Sequence, residues 1–431
     1  MIRPAALALA LTATAFCTAR AQGGQPIAWT QYVGGTRAEV RALAALGGGC
    51  PEARADGARL PLQVRAAPDA AFPQAVCAAA LPAAARRLEV AGVRLAVPRP
   101  DVRRIVVLGD SGCRLKGAKT QACNDPAAWP FPTVARLAAA RRPDLVIHVG
   151  DYLYRESPCP RPAAGPAKPG CAGSPFGDDQ PAWDADLFEP ARPLLEAAPW
   201  VFVRGNHESC SRAGAGWFRL LDAAPRPPAC PAVSPPVKVA LGGLNLYLLD
   251  GADADDRFPS PAAVAAYAAQ LDALRPDLAR PGQGWIITHR PVWGLVPALK
   301  LGPLGTVEAA INATEQAALH GREMPGVQMV VSGHIHHFAA FDFGPARPAQ
   351  LIVGTGGDVG EAADSPTIRT TPAEIDGLTA QRFTFYRFGY LVLDRVGTAG
   401  SGEWTGGFYD IADRLVAACR LHARALTCRG V

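Results

Sequence analysis

The chain has 431 residues, of which 49% are hydrophobic and 19% are charged, and its formal net charge is +5 at pH 7. This composition predicts a globular protein with a sizeable core, long enough for one large domain and a smaller part. The mildly basic balance contains no run of Lys or Arg, which argues against a nucleic-acid partner.

The first 21 residues are predicted to be a secretory signal peptide. Arg3 precedes the apolar segment PAALALALTATAF, and Ala19-Arg20-Ala21 forms a small-x-small cleavage site. The apolar segment is too short to span a bilayer. No later segment is predicted to be transmembrane, so we expect a protein secreted to the periplasm or the extracellular space.

Export changes the interpretation of the 11 Cys residues. Removing Cys17 with the signal leaves an even number, which in an oxidising compartment predicts disulfides. The connectivity stays open at this stage, although proximity favours Cys50–Cys77, Cys113–Cys123, Cys159–Cys171, Cys210–Cys230 and Cys419–Cys428. A zinc site is the rival interpretation, and it is weakened because no C-x-x-C pair occurs in the chain.

Residues 22–100 differ from the rest of the chain. Segments such as RLPLQVRAAP and RRLEVAGVRLAVP alternate between apolar and polar residues and are broken by Pro and Gly. This pattern predicts a small β-rich module or an extended arm.

From Arg103 the pattern becomes that of an α/β protein. RRIVVLGD, DLVIHVGD, WVFVRGN, GWIITHR and VQMVVSGHIHH are predicted strands. FPTVARLAAARR and PAAVAAYAAQLDAL are predicted helices, and WDADLFEPARPLLEAAP is a helix interrupted by Pro190 and Pro193. The tail, from AQLIVGTGG through RFTFYRFGYLVLDR to GEWTGGFYD, is mostly strand-like.

Several of these predicted strands end in a side chain that can bind a metal ion. These residues are Asp110, Asp151, Asn206, His289 and His334. Ligand sites in α/β proteins lie at the carboxyl ends of strands. We therefore expect distant parts of the chain to bring these side chains together.

Five short motifs follow one another along this region. They are GDSG (109–112), GDYLY (150–154), GNHE (205–208), THR (288–290) and GHIH (333–336). Each motif alone is a weak signal, because a Gly-Asp pair is usually only a turn. The ordered set is a strong signal, because every member offers oxygen or nitrogen donors at a strand end.

The ordered motifs resemble those of the calcineurin-like metallophosphoesterases, and within them the purple acid phosphatase branch, over roughly Arg103 to Phe343. In that branch the first loop has Gly where relatives have His, and here this residue is Gly112. The lost ligand is replaced by a Tyr three residues after the bridging Asp, and here this residue is Tyr154. The resemblance implies an α/β (α+β) fold, a four-layer αββα sandwich over residues 101–431 with a small β-rich part over residues 22–100.

The resemblance also implies a dinuclear metal centre with seven ligands. Asp110, Tyr154 and His336 would hold a ferric ion, Asn206, His289 and His334 would hold a divalent ion (Fe, Zn or Mn), and Asp151 would bridge the two. A phenolate is a hard anionic donor that suits Fe(III). Tyr152 is the rival phenolate, but it stands one residue after Asp151 instead of three.

The implied activity is that of a metal-dependent phosphoric ester hydrolase, an acid phosphatase that uses a metal-bound hydroxide on a small phosphoester. His207 is the candidate for substrate contact and general acid, and Glu208 for orienting His207 or sharing that role. Arg204, Arg212 and Arg290 adjoin the motifs and are either phosphate contacts or ion-pair partners.

Two alternatives stay open. One is a relative with two divalent ions, Mn or Zn, that acts on phosphodiesters or nucleotides; Tyr154 argues against it, because a phenolate gives little benefit to Mn(II). The other is a phosphatase-like scaffold that binds partners without catalysis. The filled ligand positions argue against that scaffold. The sequence leaves the substrate and the oligomeric state undetermined.

Overall fold

A computed structural model describes residues 26–117, 119–160, 170–300, 306–359 and 367–431. The predicted signal peptide over residues 1–21 lies outside the described residues. Among the described residues, no helix is both long enough and apolar enough to cross a membrane.

The secondary structure follows the chain as a β-rich start, a mixed middle and a β-rich end. The strands are β1 Ala28–Gly34, β2 Arg37–Leu43, β3 Ala53–Ala55, β4 Ala58–Arg59, β5 Gln63–Ala66, β6 Val76–Ala80, β7 Leu88–Val90, β8 Val93–Leu95, β9 Arg104–Leu108, β10 Leu115–Lys116, β11 Lys119–Thr120, β12 Leu145–His148, β13 Trp200–Phe202, β14 Val237–Ala240, β15 Asn245–Leu248, β16 Gly284–Ile287, β17 Gly294–Lys300, β18 Thr306–Ile311, β19 Val327–Ser332, β20 Phe338–Asp342, β21 Ala349–Val353, β22 Ala373–Ile375, β23 Leu378–Phe385, β24 Gly389–Arg395, β25 Glu403–Asp410, β26 Leu415–His422 and β27 Ala425–Gly430. The helices are α1 Phe131–Ala140, α2 Gln180–Trp183, α3 Glu189–Ala197, α4 Gly214–Leu220, α5 Pro261–Leu278 and α6 Ala313–Leu319, with a π-helical turn at Asp184–Phe188 and a 3₁₀ turn at Asn206–Glu208.

Two large mixed sheets form the centre of the molecule. The first has eleven strands in the order β27-β26-β25-β24-β9-β12-β13-β1-β2-β6-β5, and the second has eight in the order β14-β15-β16-β19-β21-β20-β23-β22. Strands β9, β12, β13 and β1 run parallel in the first sheet. Strands β15, β16, β19 and β21 run parallel in the second.

The alternation of side chains along the strands produces the layers. Ile105 and Val107 of β9 belong to a cluster shared with strands of the second sheet, so this face lies between the sheets. Val106 and Leu108 point the opposite way and pack with α1 and α3. On the outer face of the second sheet, α5 and α6 cover the other side of β16 and β19. The predicted four-layer αββα sandwich is therefore confirmed.

Two of the predicted helices have clear start signals. Pro132 occupies the first turn of α1, where a missing backbone N–H costs nothing. Ser260 caps α5, and its hydroxyl oxygen accepts a hydrogen bond from the backbone N of Ala263 at 3.1 Å. The predicted interruption at Pro190 and Pro193 is wrong, because Pro190 lies in the first turn of α3, where a missing N–H costs nothing, and Pro193 lies inside that helix. The irregular part is the π-helical turn at Asp184–Phe188, which precedes both prolines.

The N-terminal β-rich part is divided between two sheets. Strands β1, β2, β6 and β5 extend the first large sheet, because β1 pairs in parallel with β13 at Gln31 and Trp200. Strands β4, β3, β7 and β8 form a separate four-stranded sheet. Residue 100 is therefore not a boundary between sheets.

Five disulfides link neighbouring parts of the chain. They are the pairs that proximity favoured, Cys50–Cys77, Cys113–Cys123, Cys159–Cys171, Cys210–Cys230 and Cys419–Cys428. Three of them begin within a few residues of the GDSG, GDYLY and GNHE motifs. Cross-links there restrict the loops that carry the motifs.

Candidate metal centre

The carboxyl ends of five parallel strands meet at one edge of the two sheets. The loop after β9 carries Asp110, the loop after β12 carries Asp151 and Tyr154, the loop after β13 carries Asn206, the loop after β16 carries His289, and the loop after β19 carries His334 and His336. Residues that are up to 226 positions apart, Asp110 and His336, thereby come within contact distance.

The first group of donors surrounds the phenol of Tyr154. Its Oη lies 3.0 Å from Oδ1 of Asp110, 2.8 Å from Oδ2 of Asp151 and 3.1 Å from Nε2 of His336. Tyr154 and both carboxylates are buried. Two carboxylates, a phenol and an imidazole therefore face one small volume.

The second group of donors adjoins the first. Oδ1 of Asn206 lies 3.1 Å from Nε2 of His289 and 2.8 Å from Nδ1 of His334. Oδ2 of Asp151 lies 3.1 Å from Nε2 of His289. The same carboxylate oxygen therefore belongs to both groups, as a bridging ligand would.

The charges of these donors fit a pair of cations. Burial raises the pKa of Tyr154 well above its usual value, and the carboxylates of Asp110 and Asp151 raise it further. A phenolate can form there only when a cation offsets the negative charge. Burial opposes a charge on His336, but Asp358 and Asp110 raise its pKa to about 10. Both shifts reflect the carboxylates that surround Tyr154 and His336, and these carboxylates favour a cation in this volume.

The imidazoles present their remaining nitrogens to fixed partners. Nδ1 of His289 donates to the carbonyl oxygen of Val149 at 2.8 Å, which leaves Nε2 free to act as a donor atom. Nδ1 of His336 lies 2.8 Å from Oδ2 of Asp358. Outer partners of this kind fix the tautomer and orientation of metal-binding histidines.

A second carboxylate supports the other imidazole. Nε2 of His334 lies 3.2 Å from Oδ2 of Asp256, and Asp256 also pairs with Arg290 at 2.6 Å. This ion pair places Arg290 beside the second donor group, so the structure gives this Arg an ion-pair role.

Three of the donor residues have an uncommon backbone conformation. Asp110, Asp151 and His334 have φ values of 55°, 58° and 68°. Residues other than Gly rarely adopt this left-handed backbone conformation, and each instance costs about 1–3 kcal/mol. Such strain concentrates at functional sites, where the surroundings hold the residue in place.

Gly112, in the first loop, leaves space for the phenol of Tyr154, which comes from the loop after β12. A Cβ atom at this position would lie 2.5 Å from the carbonyl oxygen of Tyr152 and 2.9 Å from Cδ2 of Tyr154. The ring of Tyr154 therefore occupies the space that a side chain at position 112 would need. The Gly and the Tyr of the resembling branch are two parts of one arrangement.

Tyr152, the rival phenol, faces away from the donors. Its hydroxyl donates to the carbonyl oxygen of Val203 at 2.9 Å, and its ring stacks on that of His148 with centroids 4.2 Å apart. Nε2 of His148 lies 2.9 Å from Oγ of Ser111. Both rings support the loops from within the core.

The ring of His207 contacts the ring of Tyr154. The ring centroids are 3.7 Å apart, and the backbone N of His207 donates to Oδ1 of Asp151 at 2.8 Å. Nδ1 of His207 lies 2.7 Å from Oε1 of Glu156, and Arg212 contacts both side chains. Burial alone would raise the pKa of Glu156, but His207 and Arg212 lower it to about 2.

Glu208 does not contact the ring of His207 in the way that the sequence suggested. Its carboxylate accepts hydrogen bonds from the backbone N–H groups of residues 151–153 and of Gly205, at 2.8 to 3.1 Å. The reason is burial, since a fully buried carboxylate must find donors and four backbone N–H groups surround it. Glu208 therefore holds the loop of Asp151, and Glu156 is the carboxylate that faces His207.

Glu156 and Asp358 were missed as functional residues in the sequence. Glu156 follows Tyr154 by two positions and carries no motif of its own. Asp358 closes the segment VGTGGD, which has the appearance of an ordinary tight turn. For Glu156, the one available signal was its position two residues after the GDYLY motif. Asp358 carried no such signal.

Comparison with known proteins agrees with this geometry. Residues 103–338 match the family model described as calcineurin-like phosphoesterase. The chain belongs to the calcineurin-like phosphoesterase family. It is therefore a metal-dependent phosphoester hydrolase, and this family's dinuclear metal centre fits the two donor groups that share Asp151.

Two solved structures show the same fold as this calcineurin-like phosphoesterase. A purple acid phosphatase, PPD1 from the seeds of yellow lupin (Lupinus luteus), is 13% identical, with a TM-score of 0.54 over 94% of this chain and 74% of that chain. PhoD is 12% identical, with a TM-score of 0.51 over 94% of this chain and 92% of that chain. No curated protein matches the chain in sequence.

Proposed function

We propose that this phosphoesterase is a secreted acid phosphatase of the purple acid phosphatase type. Asp110, Tyr154 and His336 would hold a ferric ion, Asn206, His289 and His334 a divalent ion (Fe, Zn or Mn), and Asp151 both. The observation that carries this proposal is the buried Oη of Tyr154, which lies within 3.1 Å of donors from three other predicted ligands.

The difference in charge between the two donor groups supports unlike ions. The first group combines the carboxylate of Asp110, the shared carboxylate of Asp151 and the phenol of Tyr154. The second combines the amide of Asn206, two imidazoles and the same shared carboxylate. Hard anionic oxygen donors favour a hard, highly charged ion, whereas imidazoles suit a divalent ion of borderline softness.

When bound, a pair of ions of this kind offsets the charge of a phosphoester and supplies an activated water nucleophile. The residues of the chain then supply the remaining steps. His207 is placed to donate a proton from its imidazole to the leaving oxygen. Burial lowers the pKa of His207, and Glu156, through its contact with Nδ1, acts against this shift and keeps the ring oriented.

Arg212 and Glu208 have supporting roles in this proposal. Arg212 pairs with Glu156 and contacts the ring of His207, so it restricts both side chains. Glu208 keeps the backbone of residues 151–153 in position, and with it the carboxylate of Asp151. Glu208 thus acts on the bridging ligand instead of sharing the proton transfer.

Export to an oxidising compartment is part of the proposal. Five disulfides connect all ten Cys residues that follow the predicted signal peptide. Disulfides of this number are stable in a periplasm or outside the cell and are rare in the cytosol.

The test is a visible absorption spectrum of the exported protein, with metal analysis of the same sample. We expect a broad charge-transfer band, one iron and one second metal per chain, and hydrolysis of p-nitrophenyl phosphate at acidic pH. Tyr154→Phe removes the phenolate and should abolish the band.

Tyr152→Phe is the matched control, because Tyr152 is equally buried but points to Val203. It should keep the band. A colourless wild-type protein with two divalent ions and no iron would contradict the proposal. Faster hydrolysis of bis(p-nitrophenyl) phosphate by such a protein would then support the phosphodiesterase alternative.

A further inference from the structure

A buried carboxylate outside all five motifs connects two of the three loops that supply the first donor group. Oδ1 of Asp186 accepts a hydrogen bond from the backbone N of Cys113 at 3.0 Å, and Oδ2 accepts one from the backbone N of Tyr154 at 2.9 Å. Nε of Arg155 also donates to Oδ1. Asp186 has no exposed surface.

We infer that Asp186 is a positioning residue for the metal ligand Tyr154. One carboxylate binds the backbone of Tyr154 and the backbone three residues after Asp110, so it sets the separation of these two ligands. The inference rests on the proposed function, because Tyr154 is a ligand only in that proposal.

Asp186 lies in an irregular part of the helical segment between α2 and α3. Residues Asp184–Phe188 form a π-helical turn between α2 and α3, and the backbone N of Glu189 donates to the carbonyl oxygen of Asp184. A π turn holds an additional residue and is frequent at functional sites. Here Asp186, Leu187 and Phe188 are all fully buried.

The same turn is anchored on its other side by the core. The ring of Phe188 packs against Trp29 with centroids 5.1 Å apart, and Leu187 belongs to the same apolar cluster. The rigid core therefore fixes the turn, and the turn fixes the carboxylate. Adjacent positions on a regular α-helix are rotated by roughly 100°, which makes three successive buried side chains unusual for a helix at a surface.

The side chain of Asp186 is closely packed by its neighbours. A Cβ atom on Gly112 would lie 2.9 Å from Oδ2 of Asp186, so the carboxylate and the ring of Tyr154 share the volume left by this Gly. Arg155 balances the charge of Asp186 and lies over the ring of Trp129 at 5.2 Å. Trp129 in turn donates from Nε1 to the carbonyl oxygen of Ser111 at 2.9 Å, beside Asp110.

Asp186→Asn is the test variant, because it keeps the shape but replaces one acceptor oxygen with a donor that faces a backbone N–H. We expect iron to be lost to a competing chelator at a roughly 10- to 100-fold lower chelator concentration, as for other outer partners of metal ligands. We also expect the visible band to shift in wavelength, since the phenolate of Tyr154 is displaced relative to Asp110.

Asp144→Asn is the matched control. Oδ2 of Asp144 accepts hydrogen bonds from the backbone N of Arg103 and of Arg104, both at 2.9 Å, and Oδ1 pairs with Arg99. Asp144 precedes β12, whereas Asp151 and Tyr154 follow that strand. Asp144 therefore lies at the opposite end of the sheet. This variant should lose thermal stability without a change in the band or in iron retention.

Arg155→Lys is a second variant in case Asp186→Asn does not fold. It keeps a positive charge near Asp186 but removes the Nε contact, and it should give a smaller shift of the band in the same direction. A folded Asp186→Asn protein with the wild-type band and wild-type iron retention would overturn the inference while leaving the proposed function intact.

The absence of the band in the wild-type protein would instead contradict the proposed ferric centre. Retention of Zn(II) in a chelator competition then decides whether Asp186 positions the loops. Equal retention of Zn(II) by the wild type and by Asp186→Asn would overturn the inference in that case also.

Discussion

Gly112 and Tyr154 illustrate how tightly single residues are packed around the first donor group. A methyl group at position 112 would meet the carbonyl oxygen of Tyr152 at 2.5 Å, and this backbone atom cannot rotate away. The absence of a side chain at one position is therefore a condition for the ligand at another.

Gly112→Ala should lower both stability and metal retention. Inserting a methyl group into a closely packed site typically costs about 1–3 kcal/mol. We expect a lower Tm and less iron per chain, measured by thermal unfolding and by metal analysis.

Gly49→Ala is the matched control for this change, because a Cβ atom there would have no neighbour within 4 Å. It should leave Tm and iron content at the wild-type level. A Gly112→Ala protein with unchanged Tm and iron content would show that the loop can move aside.

His207→Ala separates catalysis from metal binding. The imidazole of His207 contacts Tyr154 and Glu156 but is not a predicted ligand. We expect both metals to be retained and kcat to fall about 10²- to 10⁴-fold, the usual contribution of a general acid.

His320→Ala changes an exposed His and should leave kcat at the wild-type value. Unchanged turnover in His207→Ala with both metals present would refute the role of general acid. Loss of metal together with turnover would instead make His207 a structural part of the centre.

At the scale of secondary-structure elements, the N-terminal strands complete the first sheet. Trp29 of β1 is fully buried, and Nε2 of Gln31 donates to the carbonyl oxygen of Leu221 at 2.8 Å. Nη1 of Arg41 in β2 donates to the carbonyl oxygen of Leu220 at 2.9 Å. These contacts connect the β-rich start of the chain to the end of α4.

Removal of residues 22–100 should therefore prevent folding of residues 101–431. It would expose the edge of β13 and the apolar cluster around Phe188, and an unpaired, apolar strand edge promotes aggregation. The measurement is the soluble yield and the cooperativity of thermal unfolding of chains that begin at residue 22 and at residue 101. A soluble, cooperatively unfolding chain from residue 101 would establish the N-terminal region as an independent unit.

At the scale of the whole molecule, buried carboxyl groups make stability depend on pH. Burial raises the pKa of Asp222 to about 6 and that of Asp184 to about 6, from a usual value of 3.8. At pH values between 3.8 and about 6, the folded state therefore binds protons more tightly than the unfolded state. The contribution of Asp222 and Asp184 to the free energy of unfolding should therefore fall as the pH rises from about 4 to about 6, and should change little above that range.

Asp222→Asn mimics the protonated form and should remove part of this dependence. We expect the variant to be more stable than the wild type at pH 7, by roughly 1–2 kcal/mol, and equal to it near pH 4. The measurement is Tm as a function of pH.

Asp125→Asn provides the control, because Asp125 is exposed and its replacement should leave the pH profile of the wild type unchanged. A constant difference in Tm between Asp222→Asn and the wild type at every pH would show that the charge of Asp222 is not the cause.

Much of the site could be predicted from the sequence, because its donors follow local patterns. A buried strand followed by Gly-Asp, Gly-Asn or Gly-His is visible within a few residues, as at Asp110 and Asn206. The carboxyl ends of parallel strands must meet at one edge, so the order of the motifs already implied a shared site. The family and the four-layer fold followed from these same motifs.

Only the tertiary structure decided which groups support those donors. Glu156 and Glu208 are both close to the motifs in sequence, yet one faces His207 and the other faces backbone N–H groups. Asp186 and Asp358 reach the site from a π turn and from a loop after β21. The direction of a buried side chain depends on what packs around it, and those neighbours come from distant parts of the chain. For the same reason, the pairing of β1 with β13 could not be seen in either strand alone.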